Sequence, residues 1–123
     1  MAYMTARKRA EGLGSAKSGT EHYWSMQVSS VALAVLIPLF VFTFGPALGS
    51  TYAEVQDIYS RPFPAIVAAL TLIVGAKHFA QGAQVLWEDY TDGAARKFAI
   101  IATTCVAYAA AAAGLFGLAR LAL

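Results

Sequence analysis

A single cysteine, Cys105, in 123 residues leaves no partner for an internal disulfide and no set of thiolates for an iron–sulfur cluster. Charge is equally scarce, at 13% of residues against about 25% in an ordinary soluble domain. Only two imidazoles are present, His22 and His78. The chain has no glycine-rich nucleotide loop, CxxC pair, repeat or nucleophile motif, and nothing in it points to a nucleic-acid partner. These gaps argue against a self-contained enzyme and against water as the main solvent.

Apolar residues make up 59% of the chain, with a mean hydropathy of +0.58. They fall into three blocks, at about residues 27–48, 63–87 and 98–119. Each is close to the ~20 residues a helix needs to cross ~30 Å of hydrocarbon. The expected fold is an all-α membrane protein, a single domain over residues 1–123 with three transmembrane helices. Residues 1–26 form a basic leading segment. They carry Arg7, Lys8, Arg9 and Lys17 without the apolar core of a secretory signal, and Glu11 and Glu21 are unlike a transit peptide. Cys105 falls in the middle of the third block, where a buried small side chain is expected.

Orientation follows from the cations. Arg7, Lys8, Arg9, Lys17, Arg96 and Lys97 lie on one side of the predicted spans, and Arg61 and Arg120 on the other. The positive-inside rule then places the N-terminus and the Asp89–Lys97 loop in the cytoplasm and the C-terminus in the periplasm. Local signals agree with the block boundaries. Pro62 and Pro64 sit where a second helix begins, and Thr91-Asp92-Gly93 reads as a turn leading into an N-cap. Pro38 is expected to bend the first span. The small residues from Ala107 to Gly114 form a face that lets another helix come close.

The segment KHFAQGAQVLWEDYT, Lys77 to Thr91, is far too polar for its surroundings. His78 lies eleven residues before Asp89, so it sits roughly 16 Å into the hydrocarbon, near its middle. On a helix, Gly75 and Gly82 share its stripe. Two readings are open. One is a hydrogen-bonded histidine in ordinary helix packing. The other is an axial ligand, with the edge of a haem against the glycines. His22, near the cytoplasmic surface, cannot easily reach the same iron, so a bis-histidine haem would need its second ligand from another subunit. Lys77, beside His78 but on a different face, needs an anion or must snorkel. Trp24 and Trp87 read as belt residues of the cytoplasmic interface.

The pattern His78-x3-Gly82-x-Gln84-Val85-x2-Glu88-Asp89-Tyr90 strongly resembles the hydrophobic membrane-anchor subunit (D chain) of succinate dehydrogenase, respiratory complex II, in its alphaproteobacterial and mitochondrial form. The resemblance covers most of the chain. It implies half of a haem-containing helical bundle, completed by a C-type anchor subunit, with flavoprotein and iron–sulfur subunits as further partners. It assigns an axial position on haem b and its iron to His78, and a hydrogen bond to ubiquinone to Tyr90. Asp89 lies beside that quinone site, Trp87 at its border, Gly82 against the haem, and His22 near the propionates or the quinone. It also implies a bacterial inner membrane and a chain that is catalytically inert alone, serving the tricarboxylic acid cycle and the respiratory chain. Gln27 departs from the family, whose members often carry an arginine there that meets a propionate; His22, Lys17 or Lys77 are the available substitutes. Two other classes remain open on the residues: a small transporter or channel component with an ion path through His78 and Lys77, and a haem-free structural anchor.

Overall fold

The computed structural model describes residues 4–12 and 19–123; Lys17 lies outside them. A short helix α1, Ala6–Glu11, starts where the Thr5 hydroxyl accepts the Lys8 amide hydrogen at 3.2 Å. Three long helices follow: α2, Gly19–Phe44, α4, Pro62–Tyr90, and α5, Gly93–Ala122. Each is long and apolar enough to cross a bilayer. They extend beyond the apolar blocks. Residues Gly19 to Met26 already belong to α2, and Arg96 and Lys97 to the first turns of α5. Helix formation needs only backbone pairing, whereas an apolar block marks the part that faces hydrocarbon. Pro38 lies inside α2, and the helix is continuous across it. Pro62 opens α4, in the first turn, where a missing amide hydrogen leaves no bond unmade.

The link between the first two spans holds a helix that the apolar pattern did not announce, α3, Tyr52–Ser60. Its start is fixed by Glu54, whose carboxylate accepts the Thr51 backbone N–H at 2.7 Å and the Thr51 hydroxyl at 2.9 Å. Those bonds, the backbone one foremost, hold the Glu54 carboxyl below the usual carboxylate range. A lowered native pKa means that this contribution is present above the unfolded-state pKa and is lost as pH falls through the native one. Tyr59 turns inward from α3 against Ala47 and Ala68, with Phe40, Leu118 and Leu121 around it. Burial raises its phenol pKa. This small cluster closes one end of the helix array.

Helix α4 is the centre of that array. It packs against both α2 and α5, whose backbones do not approach each other closely among the described residues. The α4–α5 turn is two residues long and tight. Gly93 has φ +61°, in the left-handed region where glycine carries no Cβ penalty. Arg96 ties the turn together, donating to the Thr91 carbonyl at 2.7 Å and to the Asp92 carboxylate at 2.6 Å. Asp92 occupies the N-cap position, but its side chain makes no capping bond; it pairs with Arg96 instead.

The small-residue face of α5 does bring the helices close. Ala107 is buried, and a Cβ built on Gly114 would stand 3.1 and 3.3 Å from the two methyl carbons of Leu72. Gly114→Leu is therefore expected to overpack this crossing and cost about 1–3 kcal/mol. A lowered midpoint of thermal dissociation for the purified assembly would register it, with Gly114→Ala falling between.

The rest of the chain has almost no interior. Large apolar side chains such as Val28, Val31, Phe42, Phe98, Val106 and Phe116 are exposed along all three spans. In hydrocarbon such exposure carries no penalty, and surfaces of this kind can also receive neighbouring helices. Cys105 belongs to this exterior: it is exposed, contrary to the buried role expected for it. Its position in the middle of an apolar block set its depth but not the face of α5 on which it lies.

Candidate functional site

His78 lies near the middle of α4, twelve residues from the Tyr90 end, which is roughly 18 Å along the axis. The neighbouring spans run antiparallel, and two contacts set their register. The Ser29 Oγ of α2 is 2.9 Å from His78 Nδ1. One turn further along α4, a Cβ on Gly82 would meet the terminal methyl of Met26 at 3.6 Å, ordinary van der Waals contact. Ser29 is only 4% exposed and is the most fully covered polar residue described. Its hydroxyl is also 2.9 Å from the Met26 carbonyl, and the Ser30 hydroxyl reaches the same carbonyl at 2.9 Å. Ser29 was not singled out from the sequence. Serines are common in membrane helices, and a contact between residues 49 apart in the chain leaves no periodic trace.

The remaining side of His78 borders a cleft of about 430 Å³ between α4 and α5. Phe79, Gly82, Ala83, Leu86, Trp87 and Thr103 complete its lining. The walls are almost wholly carbon, which suits a flat apolar ligand or a partner helix. Gly82 thus serves two neighbours, Met26 on one side and this cleft on the other. Gly75, placed on the same stripe by its spacing, borders a different groove, with Leu72, Phe79 and Ala107.

Unused hydrogen-bonding capacity gathers toward the Tyr90 end. His22 Nε2, Gln81 Oε1 and Trp87 Nε1 are buried without a partner among the described residues. Buried polar atoms are normally satisfied, so three unpaired ones within a few turns of each other stand out. His22 lies within the first turn of α2, where it is half-buried rather than standing before the helix as a surface residue. The antiparallel register sets it about two helical turns from His78 along the axis. That leaves His78 without a second imidazole from this chain.

Tyr90 is the last residue of α4 and is 81% exposed, next to an exposed Asp89. Gln84 donates to Glu88 at 2.8 Å, which keeps that carboxylate on the helix surface. The phenol and His78 are therefore separate stations on one helix, at its end and at its middle. Lys77 is exposed on α4 and has no ion pair among the described residues. Gln27 lies on the outer face of α2, donating to the Tyr23 hydroxyl at 3.3 Å, with Trp24, Val28 and Val31 beside it.

A histidine at mid-depth, steadied on one ring nitrogen and set beside a glycine and an apolar cleft, fits one axial position of a haem. The fold and this arrangement define a class: a three-span membrane protein with an imidazole near the middle of its central span. Comparison with known proteins specifies it. Residues 1–111 match the family described as succinate dehydrogenase/fumarate reductase transmembrane subunit. The chain is 46% identical to the succinate dehydrogenase hydrophobic membrane anchor subunit of Paracoccus denitrificans, over its whole length and 95% of that protein. No solved structure matches it. The chain belongs to the succinate dehydrogenase/fumarate reductase transmembrane subunit family.

Proposed function

We propose that this chain anchors a succinate:ubiquinone oxidoreductase in the bacterial inner membrane, holds one face of a haem b, and completes the quinone site. The observation that carries the haem assignment is His78 at mid-span, bonded to a buried Ser29 on one side and bordering an open apolar cleft on the other. When bound, a haem supplies one-electron storage within the membrane. His78 and Gly82 would hold it from this side, and a C-type anchor subunit would supply the second axial ligand, since His22 lies too far along α2. His22 Nε2 has no hydrogen-bond partner among the described residues, whereas Gln27 is bonded to Tyr23 on the outer face of α2. With a small rotation, the His22 imidazole suits a propionate or the quinone head group better than Gln27 does.

Tyr90 serves the quinone. Reducing a quinone adds two electrons and two protons, and negative charge grows on its carbonyl oxygens as electrons arrive. An exposed phenol at the end of α4 donates a hydrogen bond to such a carbonyl, and Asp89 beside it orients the phenol or passes on a proton. Trp87 borders this region with its indole N–H unused. The cation count supports a cytoplasmic position for Tyr90, where an iron–sulfur subunit would dock, with a flavoprotein subunit beyond it.

Purification through an affinity tag on this chain tests the assignment. Flavoprotein, iron–sulfur and second anchor subunits are expected to co-elute, with succinate-driven ubiquinone reduction. Recovery of the chain alone from active membranes would remove the anchoring role. A reducible b-type spectrum separates this function from an ion path through His78 and Lys77 and from a haem-free anchor.

A further inference from the structure

Neighbouring Ser29 and Ser30 on α2 have one hydroxyl proton each and, in hydrocarbon, no water to give it to. Both hydroxyls reach back to the Met26 carbonyl, the usual resort of serine in a membrane helix. With its proton committed there, Ser29 Oγ has only lone pairs left for its other close contact, His78 Nδ1 at 2.9 Å. A neutral imidazole has a single N–H, which can sit on either nitrogen. If it sat on Nε2, Nδ1 would draw the Ser29 proton away from Met26. The Nε2–H would also have no acceptor among the described residues, and the cleft that His78 lines is walled almost wholly by carbon. With the N–H on Nδ1, every proton has an acceptor: Ser29 to Met26, and His78 to Ser29. The lone pair of Nε2 is then unengaged.

We propose that Ser29 is the positioning residue of this site: it fixes His78 in the Nδ1–H tautomer, so that Nε2 is presented to a haem iron. The proposal rests on the haem reading above and adds to it the residue that aims the ligand. A histidine bound through one nitrogen and hydrogen-bonded through the other is a stronger electron donor to its metal, because the bond lends the ring imidazolate character. Ser29 thus favours the ferric state, and removing its oxygen moves the balance toward the ferrous state.

The test is redox titration, low-temperature electron paramagnetic resonance and carbon monoxide binding on the tag-purified complex with Ser29→Ala and Ser29→Thr. In Ser29→Ala the ferric/ferrous equilibrium is expected to shift threefold to tenfold toward ferrous, which is about 30–60 mV positive at ~59 mV per tenfold. The ferric low-spin signal should move, and the reduced haem should admit carbon monoxide more readily. Ser29→Thr keeps the hydroxyl and should restore all three. Loss of haem from Ser29→Ala with retention in Ser29→Thr supports the same conclusion. Wild-type potential, spectrum and carbon monoxide resistance in Ser29→Ala would overturn it, as would equal damage in Ser29→Ala and Ser29→Thr. A wild-type complex without haem would instead remove the haem reading itself, and this proposal with it.

Discussion

If His78 holds the haem as proposed, His78→Ala is expected to lower the b-haem content of the assembled complex at least about tenfold, since it would delete an iron ligand rather than a supporting bond. Alanine also leaves the Ser29 hydroxyl facing a void, but that hydroxyl keeps its own bond to the Met26 carbonyl. The helix pair should therefore survive. On the proposed function, succinate oxidation with an artificial dye would take place on the soluble subunits and should stay near wild type, which separates haem loss from failed assembly. A correctly assembled His78→Ala complex with an unchanged haem spectrum would show that the imidazole is a packing residue.

Tyr90→Phe carries the second large effect. The ring stays and only the hydrogen-bond donor is lost. Such a bond contributes about 0.5–1.5 kcal/mol, and ~1.5–3 kcal/mol where charge develops on the acceptor. Quinone reduction should accordingly slow by about twofold to somewhat over a hundredfold. Haem content and dye reduction should not move, because Tyr90 lies roughly 18 Å from His78 along α4. Wild-type quinone reduction with unaltered sensitivity to quinone-site inhibitors would leave Tyr90 as an interfacial anchor and nothing more.

The three spans were legible in the sequence because hydrocarbon imposes a length and a composition that few other environments demand. The position of His78 near the middle of α4 followed from the same counting, since rise per residue converts position into distance. Which helices touch did not follow. Nothing in the apolar blocks says that α4 lies between α2 and α5, because lipid-facing and helix-facing residues are equally apolar. Ser29 and the exposed Cys105 were both out of reach for that reason, one hidden on a helix face and the other displayed on one. Helix α3 is a different case. Thr51-x-x-Glu54 is a capping pattern that was there to be read, but it sits in a stretch too short and too polar to register among membrane spans.

His22 illustrates a boundary that moved. The first apolar block begins near Gln27, whereas α2 begins at Gly19, so His22 belongs to a helix that packs and not to a free leading segment. Its unpartnered Nε2, with Gln81 Oε1 and Trp87 Nε1, gives the stretch between His78 and the Tyr90 end a polar character that composition alone did not localise.

The most direct measurement is the optical spectrum of the complex purified through this chain, taken oxidised and then after reduction, with the haem extracted and quantified as its pyridine derivative. A chain that supplies His78 to a haem shared with a partner anchor predicts one b-type haem per copy of this chain, low-spin and reducible. A complex that contains the flavoprotein and iron–sulfur subunits, reduces quinone, and shows no haem absorbance in either state would contradict it.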